Sequence, residues 1–183
     1  MTDDSNLPPE LIALARRVID ENRAAGLRVA VAESCTGGLV SAALTELPGS
    51  SDVFEAGFIT YANEAKMAML GVAEDVLDTF GAVSVATAWA MAQGAIHKSR
   101  ADIAVAITGV AGPGGGSEKK PVGMVVFARA SRSGDPDDVV ADQREFGDLG
   151  RPAIRLQAAL CALELLLPAS PPADDGEVAP VAP

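Results

Sequence analysis

The chain has 183 residues, 49% of them apolar but only 4% aromatic, and a formal net charge of −11. That length suits one domain whose core is built from Ala, Val, Leu and Ile, as in closely packed α/β layers. The acidic balance argues against a nucleic-acid or anionic-membrane surface, which needs clustered Lys and Arg, but leaves room for a small anion held by backbone N–H groups. Two cysteines, Cys35 and Cys161, fall in unrelated patterns, so reduced thiols in a cytoplasmic protein are expected. One histidine, His97, and two separated cysteines are too few for a zinc site, so no metal or other cofactor is expected. The sequence shows neither a secretory signal pattern nor an apolar run of membrane-spanning length.

Residues 1–7 read as a flexible N-terminus. Pro8 and Pro9 open a helical pattern with Leu11, Leu14, Ala15 and Val18 on one face, closed by Gly26. Leu27 to Ala32 reads as a buried strand, and Leu39 to Glu46 as a short helix ended by Pro48-Gly49. Val53 to Tyr61 alternates like a strand, with Phe54, Ala56 and Phe58 on one face. Asn63 is placed to cap a short helix that Gly71 ends. Ser84 precedes a long Ala-rich helix to about Ser99, and Asp102 to Thr108 is an apolar strand. Gly109 to Lys120 is a glycine-rich loop, Val122 to Ala130 a strand, Ser131 to Asp137 a turn, and Val139 to Phe146 a last strand. Pro152 starts a helix through Leu167, and residues 168–183 read as a disordered Pro/Ala/acidic tail. Helices between strands predict a three-layer α/β/α sandwich. The step across Ser131–Asp137 is too short for a parallel crossover, so the sheet should be mixed.

The chemistry concentrates where the first strand meets Glu33-Ser34-Cys35-Thr36-Gly37-Gly38. A strand-to-helix turn of this kind offers backbone N–H groups, the positive end of a helix dipole and a nucleophile together, the ingredients of an oxyanion hole or a phosphate cradle. Ser34 is either a helix N-cap or a nucleophile. Cys35 is its rival, a thiol activated at a helix N-terminus or a small side chain packing the turn. Lys66 is either a solvated helix lysine or, for want of a good histidine, the base of a Ser/Lys hydrolase, which requires a lowered pKa. Tyr61, the only tyrosine, caps the core or supplies a hydroxyl that relays a proton or orients Ser34. His97 sits at a helix end beside Lys98, where a cation is favourable without any catalytic role. The loop Thr108-Gly109-Val110-Ala111-Gly112-Pro113-Gly114-Gly115-Gly116 follows a buried strand, and is either a surface connection or the second wall of the same site.

These pieces, in this order, resemble the CinA C-terminal domain family, the nicotinamide-nucleotide amidase family. The matching runs are Ala32 to Gly38, Pro48-Gly49-Ser50-Ser51, Tyr61-Ala62-Asn63-Glu64-Ala65-Lys66 with Leu70-Gly71-Val72, Gly81-Ala82-Val83-Ser84, Thr108 to Gly116, and Lys120-Pro121-Val122-Gly123. Each run alone is weak, but together in register they are specific, and the likeness spans residues 8–167. The resemblance implies hydrolysis of nicotinamide mononucleotide to nicotinate mononucleotide and ammonia, without a metal. By motif position it implies Ser34 as nucleophile, Lys66 as general base and Tyr61 as helper. Substrate contacts fall on Cys35, Thr36, Gly37 and Gly38, and on Thr108, Gly109, Gly112, Gly114 and Gly115. The chain looks like the family's stand-alone form; a homo-oligomer is expected, and the acidic charge argues against nucleic-acid and membrane partners. The alternative is a non-catalytic nucleotide-binding or competence/damage-associated protein. Relatives tend to carry Gly-Asp-Arg before the last helix, where this chain has Gly147-Asp148-Leu149-Gly150-Arg151, so the place of that arginine is left open.

Overall fold

The computed structural model describes residues 5–135 and 137–168. Strands β1 (Val29–Glu33), β2 (Phe54–Ile59), β3 (Ile103–Gly109), β4 (Met124–Ser131) and β5 (Val140–Glu145) form one sheet in the order β2-β1-β3-β4-β5. β2 and β3 run parallel to β1, while β4 and β5 add antiparallel. Helices α1 (Pro9–Ala25), α2 (Leu39–Thr45) and α6 (Arg151–Leu166) cover one face; α3 (Asn63–Leu70), α4 (Glu74–Phe80) and α5 (Val85–Lys98) cover the other. This is the mixed-sheet α/β sandwich the sequence predicts. The terminal segments expected to be flexible lie mostly outside the described residues.

The period-2 alternation of buried strands sorts side chains by size. Val29, Val31, Ile103, Val105, Ile107, Val125 and Phe127 face α1, α2 and α6. Ala30, Ala32, Ala104, Ala106, Ala128 and Ala130 face α3, α4 and α5. On that alanine face α5 presents Ala88, Ala92 and Ala95, so helix and sheet approach closely. Ser84 caps α5, its Oγ accepting from the Thr87 amide at 3.1 Å.

Two details differ from the sequence expectation. Ala62, not Asn63, holds the N-cap position of α3, and Asn63 is already helical. Residues 74–80 form α4, an additional helix between α3 and α5; Glu74 and Asp75 in its first turn are the signal that marks it.

The topology fixes the site. Chain order puts β2 on one side of β1 and β3 on the other, so the crossovers diverge at the C-terminal end of β1. Such a switch point leaves a crevice between the two loops that depart from it. The α3 helix that flanks the crevice is seated directly on α5, because a Cβ at Gly94 would meet the Leu70 carbonyl. Gly94→Ala is therefore expected to destabilise the fold by about 1–3 kcal/mol through overpacking against backbone. Thermal or urea denaturation reads this, and an unchanged midpoint would contradict it.

Candidate active site

The crevice is a cleft of about 270 Å³ at the C-terminal ends of β1, β2 and β3. Ser34 and Cys35 enter it from the end of β1, Tyr61 and Lys66 from the β2–α3 side, and Thr108, Gly109, Gly112, Gly114 and Gly115 from the loop after β3. His97 ends α5 and takes no part in the lining.

Lys66 is the largest fully buried side chain, 1% exposed. Its Nζ lies 3.1 Å from Ser34 Oγ, 2.8 Å from the Thr60 carbonyl oxygen and 3.3 Å from that of Tyr61. No carboxylate pairs with it among the described residues. Burial in this setting pushes the ammonium pKa below its ordinary value of 10.5, and only a charged Cys35 would oppose the shift. A neutral amine has two N–H donors and one lone pair. The two carbonyls match the donors, and the lone pair is left for the Ser34 hydroxyl proton.

Cys35 is in the opposite condition. Burial raises its thiol to about 11, outweighing the amides of Cys35 and Thr36 that favour a thiolate. The thiol stays neutral at ordinary pH and leaves Ser34 as the group within reach of a base.

The turn between β1 and α2 is clasped from both sides. The Glu33 carboxylate, fully buried, accepts from the amides of Gly38 (2.9 Å), Val40 (3.2 Å) and Ser41 (2.8 Å) and from the Ser41 hydroxyl (2.7 Å). The Gly37 amide donates to the Ser34 carbonyl at 3.1 Å. From α6, Arg155 donates to the Thr36 carbonyl through Nε (3.2 Å) and Nη2 (2.7 Å). Gly37 and Gly38 have φ of 60° and 93°, and a Cβ on Gly38 would come within 2.9 Å of Ile59, so the turn requires glycine there.

This arrangement narrows the N–H nest expected from the sequence. Thr36, Gly37 and Gly38 do not line the cleft, and Glu33 already occupies the helix N-terminal amides that a ligand would need. The amides of Cys35 and Thr36 donate to no backbone carbonyl among the described residues.

At the mouth, Arg151 donates to the Gly112 carbonyl and to the Tyr61 hydroxyl, both at 2.9 Å. The Leu149-Gly150 departure thus still delivers Arg151 to the cleft. Tyr61 is 60% exposed and turns its hydroxyl to Arg151, touching Lys66 only through its backbone carbonyl. Thr108 is a wall: its hydroxyl donates to the Ala82 carbonyl at 2.7 Å and ties the Gly81–Val83 segment to the end of β3. Glu33 and Arg155 join the site without having been singled out from the sequence. A carboxylate closing a strand just before a helix N-terminus is a legible signal. Nothing local marks Arg155, which is 119 residues from its partner.

The chain is similar to known proteins of one family over most of its length. The CinA C-terminal domain matches residues 11–169. Nicotinamide-nucleotide amidohydrolase PncC of Escherichia coli K12 is 48% identical over 157 residues, covering 86% of this chain and 93% of that protein. A CinA-like protein of Akkermansia muciniphila is 50% identical over 129 residues, 70% of this chain; the matched part is 31% of the longer protein, so this chain spans about a third of such relatives. The crystal structure of competence/damage inducible protein CihA from Agrobacterium tumefaciens superposes with a TM-score of 0.84 at 52% identity, covering 88% of this chain and 96% of that one. With the family model matching most of its residues and a relative 48% identical over 86% of its length, the chain belongs to the CinA C-terminal domain family.

Proposed function

We propose that this chain is an amidase that hydrolyses the carboxamide of nicotinamide mononucleotide, with Ser34 as nucleophile and Lys66 as general base. The observation that carries the reading is the 3.1 Å approach of a buried amine without a counter-ion to the Ser34 hydroxyl. The amidohydrolase named in the Escherichia coli relative, matched almost end to end, supplies the substrate class.

In this mechanism neutral Lys66 takes the proton of Ser34 as Oγ bonds to the carboxamide carbon. The oxyanion is met by the amide of Cys35, which lines the cleft beside Ser34. Lys66, now an ammonium held by the Thr60 and Tyr61 carbonyls, returns the proton to the departing nitrogen, which leaves as ammonia. Water, deprotonated by the same amine, attacks the acyl carbon; the bond to Ser34 Oγ breaks, Lys66 returns the proton to that oxygen, and the carboxylate product leaves. Arg151 and the glycine loop face the phosphate, and the Tyr61 hydroxyl orients Arg151. The chemistry requires no metal. Among the described residues no group of three His, Cys, Asp or Glu side chains is placed to hold one.

Ser34→Ala should lose roughly 10³-fold or more in kcat, as nucleophile removal does in other hydrolases, with the fold intact. Cys35→Ala should stay active. Ammonia release checks both, and the reverse pattern would move the nucleophile to Cys35.

The Lys66 assignment predicts a pH signature. Activity should rise as pH climbs through the lowered amine pKa and level off below 10.5. Lys66→Arg should be nearly as inactive as Lys66→Ala, because a guanidinium does not deprotonate at usable pH. The stability sign follows from linkage. Between the lowered pKa and 10.5 the unfolded chain binds the proton and the folded chain does not, so stability gains from this group as pH rises. The stability of the unmutated protein relative to Lys66→Met should therefore increase across that window in pH-dependent denaturation. Strong activity in Lys66→Arg would overturn the general-base role.

Phosphate recognition predicts that nicotinamide mononucleotide exceeds nicotinamide riboside in kcat/KM by roughly 10- to 100-fold, the worth of one or two charge-assisted hydrogen bonds. Arg151→Gln should shrink that ratio. Equal use of the two substrates would remove the phosphate site from this cleft.

A further inference from the structure

The half-buried guanidinium of Arg155 has an unusual commitment. It forms no ion pair among the described residues and directs both Nε and Nη2 to one backbone oxygen, that of Thr36. Thr36 is fully buried, two residues past Ser34. Arg155 lies outside the cleft lining, so it does not act on a ligand directly.

Its effect passes along peptide planes. In a trans peptide the C=O and the following N–H point opposite ways. Holding the Thr36 carbonyl toward α6 aims the Gly37 N–H away from α6, where it meets the Ser34 carbonyl at 3.1 Å. Fixing the Ser34 carbonyl in turn fixes the plane of the Ser34–Cys35 peptide, and with it the direction of the Cys35 N–H. That N–H donates to no backbone carbonyl among the described residues. Glu33 holds the α2 side of the turn through Gly38, Val40 and Ser41, but touches neither the Cys35 nor the Thr36 amide. Orientation of the oxyanion donor is left to the α6 side.

We propose that Arg155 is a positioning residue for the oxyanion hole, acting through the Thr36 carbonyl and the Gly37–Ser34 hydrogen bond to hold the Cys35 amide toward the developing oxyanion oxygen. The proposal rests on the seryl amidase reading. It gives the two arginines of α6 different roles. Arg151 at the mouth holds ground-state substrate, and Arg155 behind the turn serves only the tetrahedral state.

Arg155→Met keeps the aliphatic stem and removes every donor. Deleting an oxyanion donor outright costs about 10²–10³-fold, and misdirecting one costs less, so kcat should fall roughly 10- to 100-fold. KM for nicotinamide mononucleotide should stay within about threefold, since only transition-state contacts change. Pyridine-3-boronic acid, which forms a tetrahedral adduct with a serine oxygen, should bind more weakly by a factor comparable to the loss in kcat. Inhibition by the product nicotinate mononucleotide should be unchanged. Arg155→Lys, with a single ammonium in place of the fork, should fall between the two proteins in kcat and in boronate affinity. It also decides the question if the Met variant does not fold. Unaltered kcat and boronate affinity in a folded variant would overturn the proposal, as would a loss confined to KM. An unmutated protein that releases no ammonia, yet binds the boronate in an Arg155-dependent way, would fail the amidase reading while leaving the positioning role standing.

Discussion

An amine buried without a counter-ion is the constraint around which this cleft is built. An isolated buried ammonium is costly, and a protein meets that cost by pairing the group, satisfying it with hydrogen bonds or neutralising it. Pairing is absent at Lys66 among the described residues. Two backbone carbonyls and one hydroxyl surround Nζ instead. That set suits the neutral amine as well as the ammonium, which is what a base that cycles between the two forms needs. A carboxylate in the same position would stabilise the ammonium and raise the pKa, leaving little neutral base at ordinary pH. The nearest acid in sequence to Ser34, Glu33, is engaged elsewhere, in four hydrogen bonds around the start of α2.

The remaining architecture keeps that amine and the serine in register. Ser34 continues β1 in hydrogen bonding, its amide donating to the Ile107 carbonyl of β3. Thr60, whose carbonyl receives Lys66, extends β2 by donating its amide to the Glu33 carbonyl. Ser34 and the carbonyl that receives Lys66 therefore hang from adjacent parallel strands, and α3 carries the amine back between them. The alanine face of the sheet contributes at a distance. It lets α5 lie close, and α5 through Gly94 fixes the C-terminal end of α3. Regular elements hold the pair at hydrogen-bond distance, and the glycine loop forms the facing wall of the cleft.

Much of this is legible in the sequence because its causes are local. The strand-turn-helix at Val29–Gly38, the Ser84 cap and the short Ser131–Asp137 turn each depend on neighbouring residues, and each leads to the right element or to the mixed sheet. The α4 helix escapes such a reading because seven residues give barely two turns of periodicity. Asn63 is off by one position because N-cap preference competes with the chain geometry leaving β2. The N–H nest is overdrawn for a different reason. Composition shows how many donors a turn contains, but not that a carboxylate from the preceding strand occupies them. Arg155 is invisible because its meaning depends on a partner 119 residues away, brought near only when α6 packs beside α2.

The electrostatics of the whole chain and of the site point in opposite directions, and distance reconciles them. A net charge of −11 repels an anionic nucleotide at long range. Salt limits that repulsion to about 10 Å at ordinary ionic strength. At the cleft mouth the balance reverses, where Arg151 faces the opening and is in no ion pair among the described residues. The acid beside Ser34 is screened by its own amide donors. Charges that are hydrogen-bonded and partly desolvated act more strongly on a bound group than scattered surface carboxylates do. The global charge then bears mainly on encounter rate, and the local arrangement on residence and chemistry. An acidic protein with a cationic cleft thus favours a small anion able to enter over a polyanion that must lie across its surface.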